Sequence, residues 1–137
     1  ADAEPGVTYV LGPGGTLQQI KEAFGIEGTP LGVDVVREGQ VVAADAAEQD
    51  ILDALGDRNV IVVSPIGGQG FIFGRGNDQI SPAVIERSEL LVVASREKLD
   101  STGVLRVDTG DADLDESLKG WIKVQVSRYE QRMIQIV

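Results

Sequence analysis

Two periods of hydrophobic spacing, close to two and close to three and a half residues, succeed one another along the 137 residues and mark out the elements. Residues 7–11 (VTYVL) form an apolar, β-rich run; Gly12-Pro-Gly-Gly15-Thr16 follows, then Leu17, Ile20, Ala23 and Phe24 at helical spacing, closed by Gly25. This order predicts strand, glycine turn and helix, with Thr16 placed to cap the helix. Residues 31–36 (LGVDVV) and 40–44 (QVVAA) are β-branched runs joined by Arg37-Glu-Gly39, which suits a hairpin. Asp45 is the expected cap of a helix over 46–55 that Gly56 closes. Residues 59–63 (NVIVV) and 90–94 (LLVVA) read as buried strands, 96–99 as a helical turn and 105–108 as a short strand. Residues 111–118 predict a helix with carboxylates in its first turn and Lys119-Gly120 at its end. Residues 121–126 and 133–137 alternate, so the chain closes as an antiparallel pair. The fold class expected is α/β: a mixed, partly parallel sheet covered by helices, with a C-terminal antiparallel strand pair, all in one domain over 1–137.

The densest chemistry lies in residues 64–82, SPIGGQGFIFGRGNDQISP, where five glycines between Gly67 and Gly76 surround Gln69, Arg75, Asn77 and Gln79. The segment begins where a strand stops, at Ser64-Pro65. Glycine lets a ligand approach backbone where a Cβ would collide, the amides of Gln69, Asn77 and Gln79 both donate and accept, and Arg75 offers a planar fork to a phosphate or carboxylate. Ser81 as N-cap and Pro82 at the first helical position predict a short helix over 83–87. The plainer expectation is a glycine-rich turn whose Phe71 and Phe73 drop into the core from one face of a strand; the polar set Arg75, Asn77 and Gln79 favours a binding loop. The candidate ligand contacts are Gln69, Gly70, Arg75, Gly76, Asn77 and Gln79. Gly12, Gly14, Gly15 and Thr16 form a second candidate, for a phosphate at a helix start, although the turn lacks a P-loop lysine and the third glycine of a dinucleotide fingerprint.

Composition removes several classes of function. No cysteine and no histidine are present, which excludes thiolate and imidazole metal ligands and the commonest general base. A net charge of −10 with only four lysines argues against a nucleic-acid partner. No apolar run approaches the roughly 18 residues that span a bilayer, and the first residues are acidic, so a soluble, cytoplasmic protein without a membrane partner is expected. Arginine outnumbers lysine eight to four, and with the acidic excess this raises adaptation to high salt. The stretch Asp108, Asp111, Asp113, Asp115 and Glu116 lacks the spacing of a calcium loop and reads as helix capping. Trp121 suits the core as well as the surface.

Taken together, SPIGGQGFIFGRGNDQISP, LGPGGT, LGVDVV and LRVDTGDADLDESLKGW resemble the carboxy-terminal part of the ATP-NAD kinase-like family that includes acetoin catabolism protein X and archaeal predicted polyphosphate/ATP-NAD kinases. The restrictive element is the GQGF, FGRGN and QISP series. Gly12-Pro-Gly-Gly-Thr16 resembles a GPGTT-like turn of that family with Gly15 in place of a threonine, and the segment from Ser64 loosely resembles the TPTGSTAY region that holds the nucleotide acceptor, with Gln69-Gly70-Phe71 replacing Thr-Ala-Tyr. The aspartate that activates the acceptor hydroxyl in that superfamily lies in a GGDGT motif, which this sequence does not contain.

The resemblance implies a nucleotide-binding half of an ATP- or polyphosphate-dependent NAD kinase-like protein, with NAD or ATP as ligand, Mg²⁺ in the intact protein, and an amino-terminal domain as the missing partner that carries the chemistry. Arg75 is then expected on an anionic group and the amides on ribose or base edges. Two other classes compete. The strand, GxGGT, helix opening also resembles loops of ribose-phosphate isomerases and related sensor domains, which implies a non-catalytic module binding a sugar phosphate. The terminal strands could instead join a partner sheet, which implies a homo-oligomer.

Overall fold

The structure, a computed structural model, describes residues 5–26, 28, 32–65, 70–74, 79–127 and 130–137. Its elements in chain order are β1 (Val7–Leu11), α1 (Gly15–Ala23), β2 (Asp34–Arg37), β3 (Gln40–Ala43), α2 (Glu48–Ala54), β4 (Arg58–Val63), β5 (Phe71–Phe73), α3 (Pro82–Glu86), β6 (Glu89–Val93), α4 (Arg96–Thr102), β7 (Arg106–Val107), α5 (Ala112–Leu118), β8 (Gly120–Gln125) and β9 (Gln131–Ile136). Seven strands form one sheet in the order β3-β2-β1-β4-β6-β8-β9, and β5 pairs with β7 in a small parallel sheet. The central strands β1, β4, β6 and β8 run parallel, and both flanks are antiparallel. The expected mixed α/β sheet with its antiparallel closing pair is therefore what the chain builds.

Alternation along the central strands divides the core into two layers. Val10, Ile61, Val63, Val92 and Val124 face a layer made by α2, α3, α4, α5 and the small sheet, which contribute Ile51, Val84, Leu99, Leu114 and Phe73. Tyr9, Leu11 and Val62 face the opposite side, where α1 supplies Leu17 and Ile20 and its C-cap supplies Phe24, and the Tyr9 and Phe24 rings meet tilted at 58° with centroids 5.5 Å apart. The small sheet is tied to the large one at Leu105, whose N–H donates to Gln135 and whose carbonyl accepts from Val137. Among the described residues no helix is long and apolar enough to cross a membrane.

Several local expectations change. The second strand starts at Asp34 rather than at residue 31, which lies outside the described residues. Asp45 does not cap α2: it takes a positive φ of 46° and donates its N–H to Asp34 Oδ1, and the helix begins at Glu48, where Asp50 accepts from the Ala47 N–H. The cap of α1 is Gly14, at φ 110°, so Thr16 sits inside the first turn and makes no capping bond. Ser81 holds the N-cap position of α3 as expected, yet its side chain makes no cap bond. Phe73 is buried as expected, whereas Phe71 is only half-buried and Ile72 joins the core in its place. Strand β6 is only partly covered on the face that carries Leu91 and Val93, leaving Leu91 exposed, and Trp121 stands 66% exposed on β8 rather than in the core. The acidic stretch caps α5 as predicted: Asp111 Oδ1 accepts from the Asp113 and Leu114 N–H groups, and Asp115 Oδ1 accepts from the Thr109 N–H and hydroxyl.

Candidate functional site

Strands β1 and β4 lie side by side and parallel, but the chain leaves them in opposite directions. From β1 it passes through α1 to β2 on one flank, and from β4 it passes through β5 and α3 to β6 on the other. Where neighbouring connections diverge in this way, the carboxyl ends of the strands are left with a crevice that no loop fills. Such a crevice is present, a cavity of about 160 Å³. Its walls come from four places: Pro13 of the glycine turn, Val63 and Ser64 at the end of β4, Ile72, Phe73 and Gly74 of β5, and Gln79 with Ile80 before α3.

The two loop beginnings are held together by backbone. The Gly12 N–H donates to the Val62 carbonyl at 2.9 Å, and a Cβ at Gly12 would lie 3.1 Å from Val63 Cγ1 and 3.3 Å from the Val62 oxygen. The approach of β4 thus leaves little room for a side chain at position 12. At Gly14 the requirement is conformational, because the N-cap of α1 takes a φ of 110°.

Among the described residues the cavity lining carries no charge and is mostly apolar, with two hydrogen-bonding side chains. Gln79 is half-buried. Ser64 is 4% exposed, and among the described residues its Oγ has no hydrogen-bond partner; the Oγ of Ser81, two residues beyond Gln79, is likewise buried without one. Buried hydroxyls are nearly always paired, so these two are unusual. Composition offers no signal for them, since Ser64 reads as a turn residue after a strand and Ser81 as a helix cap.

Of the sequence candidates, the fold brings Gln79 beside the Gly12 to Gly14 turn, joining two stretches more than sixty residues apart. Gly15 is exposed at the first position of α1. Thr16 lies outside the crevice, in an open groove of about 540 Å³ between α1 and the ends of β6 and β8, with Gln19, Ser95 and Gln125. Gly70 has a reason of its own: at φ 83° its carbonyl accepts from the Arg106 N–H, and a Cβ there would lie 2.3 Å from the Val104 oxygen. Gln69, Arg75, Gly76 and Asn77 lie outside the described residues.

The donor set suits an uncharged group rather than a metal. Among the described residues no carboxylate lines the crevice and no three acidic side chains gather where they could hold a cation, so the described lining does not fit Mg²⁺.

Compared with known proteins, the chain matches one family model, the ATP-NAD kinase C-terminal domain, over residues 4–136. No curated protein and no solved structure matches it.

Proposed function

The chain belongs to the ATP-NAD kinase C-terminal domain family, and from that premise we propose that residues 1–137 form one domain whose crevice between β1 and β4 holds a nucleotide, an NAD-type phosphate acceptor or ATP, without transferring phosphate by itself. The observation that carries this reading is the position of the crevice: it opens at the carboxyl ends of two parallel strands whose connections diverge, and it pairs a glycine turn with Gln79. The start of α1, one residue beyond Pro13, offers backbone N–H groups to a phosphate, and Arg75 adds its guanidinium to that charge.

The non-catalytic part follows from chemistry. Phosphoryl transfer needs the acceptor hydroxyl activated and the charge of the transferring group neutralised, usually by a carboxylate base and metal-bound phosphates. The described crevice lining supplies neither, and the sequence lacks a GGDGT motif. In this reading the base and the metal belong to a further domain that meets the crevice.

Calorimetry with NAD, NADP, ATP and ribose 5-phosphate tests the proposal. NAD or ATP is expected to bind, with affinity falling about tenfold or more in Gln79→Ala and in Arg75→Ala, each loss corresponding to one hydrogen bond or charge pair. Preference for ribose 5-phosphate over every nucleotide would move the assignment to a sugar-phosphate sensor, and silence from the folded chain would remove the binding role.

A further inference from the structure

The two edges of the large sheet are finished differently. At β9 the chain itself covers the edge: the Leu105 N–H donates to the Gln135 carbonyl, the Leu105 carbonyl accepts from the Val137 N–H, and Arg132 is ion-paired to Asp100 at 3.0 Å. At β3, among the described residues, nothing pairs with the outer edge. Open edges in natural proteins usually carry a lysine, a proline or another charge, whereas residues 40–44, QVVAA, carry none. Val41 and Val42 are 41% and 46% exposed, although alternation along a strand that faces a core would turn one of two successive side chains inward. Val41 lies opposite Val36 and Ala43 opposite Val35, so Val42 is the extra residue of a bulge. We infer that this edge is a docking surface for a short extended segment of a partner protein, apolar at alternate positions and basic at its ends, which adds to the seven-stranded sheet as a further strand. Main-chain hydrogen bonds then supply affinity, and the two valines supply side-chain contact.

Charge selects the partner. An open groove of about 480 Å³ runs beside β3, lined by Val42, Ala43, Ala44 and Ala54 together with Asp50 and Asp53 of α2. Asp50 accepts from the Ala47 N–H and Asp53 from the Gln49 amide, and neither is ion-paired among the described residues. Glu38 and Asp45, just beyond the two ends of β3, are exposed as well. The cation on the neighbouring strand, Arg37, is taken up by Thr8 Oγ1 and the Ala54 carbonyl. An extended segment with basic ends therefore meets carboxylates around an apolar edge, and an acidic one is repelled. The same carboxylates, with a net charge of −10, oppose a second copy entering edge to edge. The four-residue length of β3 and its bulge restrict the addition to a short strand and stop the sheet from growing further.

The test titrates the full chain, isotope-labelled for nuclear magnetic resonance, with the peptide Lys-Val-Thr-Val-Thr-Lys, its acidic counterpart Glu-Val-Thr-Val-Thr-Glu, and the basic peptide N-methylated throughout its backbone. The basic peptide is expected to bind, to move the amide and methyl resonances of residues 40–44 and to slow amide exchange there, with the acidic and methylated peptides about tenfold weaker or more. Asp50→Asn combined with Asp53→Asn keeps both hydrogen-bond acceptors, and thermal melting establishes that it folds. It is expected to lose about fivefold for the basic peptide at low salt and little at high salt. Val42→Lys, on an exposed strand, puts a like charge on the edge and is expected to abolish binding. Failure of the basic peptide to bind the folded chain, binding that tolerates N-methylation, or shifts confined to other strands overturns the docking edge. Equal binding of the acidic peptide overturns the basic partner. Association of the chain with itself, seen by light scattering and lost in Val42→Lys, assigns the edge to a second copy and overturns the inference.

Discussion

Lys21 and Asp34 form an ion pair at 2.8 Å with both side chains fully buried, one on α1 and the other on β2. Lys21 Nζ also donates to the Gly32 carbonyl at 3.1 Å, and Asp34 Oδ1 accepts from the Asp45 N–H at 2.9 Å, so each charge is further hydrogen-bonded. Removing one partner strands a charge in the core: Lys21→Ala or Asp34→Ala is expected to cost about 3–5 kcal/mol in chemical denaturation. The double variant Lys21→Met, Asp34→Leu should cost less than either, about 1–3 kcal/mol, because groups such as the Gly32 carbonyl and the Asp45 N–H lose partners but no charge is left stranded. Were the double variant as unstable as the singles, the pair would not be the source of the loss. Gly70→Ala is expected to cost about 2–4 kcal/mol, from a positive φ and a collision with the Val104 carbonyl, and denaturation with the ligand absent measures it. At this scale the sequence shows which residues can bond but not whether they do. Ser64 and Ser81 look like ordinary turn and cap serines, and only their surroundings leave them unpaired.

Among elements, those whose cause is local were readable: β1, β4, the hairpin over Glu38 and Gly39, α5 with its Asp111 cap, and the β8–β9 pair. Glu38 and Gly39 both take positive φ, 52° and 76°, as a two-residue primed turn demands. Elements whose limits depend on neighbours shifted, as at α2, where Asp45 is taken up by Asp34 and the helix starts later. Strands β4 and β6 are clipped near their starts by Arg58 and Glu89, whose side chains meet at 2.7 Å. The hydrogen bond from Arg58, and then its charge, hold the Glu89 carboxyl below the usual carboxylate range. A lowered folded-state value means that the pair contributes above the ordinary value of a free glutamate and that its contribution is lost as pH falls through the lowered one. Nuclear magnetic resonance titration should show Glu89 returning to the ordinary range in Arg58→Ala; an unchanged midpoint would remove Arg58 as the cause.

Among the described residues, the two faces of the large sheet are unequally covered, because four helices and the small sheet lie on one and α1 is the helix on the other. Beyond the reach of α1, Leu91, Trp121 and Met133 stay exposed on neighbouring strands of that second face. Trp121 is the sole tryptophan, so the emission of the monomer is expected to be that of a solvated indole, readily quenched by acrylamide; a blue-shifted, protected emission that depends on concentration would mean that the face is covered by self-association. What the sequence by itself determined is the class and the alphabet of this protein. Period-two and helical spacing set the elements, the glycine and Gln-Arg-Asn motifs marked the loops and carried the family resemblance, and missing histidine and cysteine narrowed the chemistry, all properties of near neighbours in the chain. Tertiary structure alone decided the strand order, and with it the divergence of the chain at the ends of β1 and β4 that opens the crevice. It also decided that Gln79 and Pro13 line one crevice, that Gly70 packs on Val104, and that Ser64 is buried without a partner among the described residues. These depend on contacts between residues far apart in sequence, and local spacing carries no information about which distant backbone will arrive beside a given side chain.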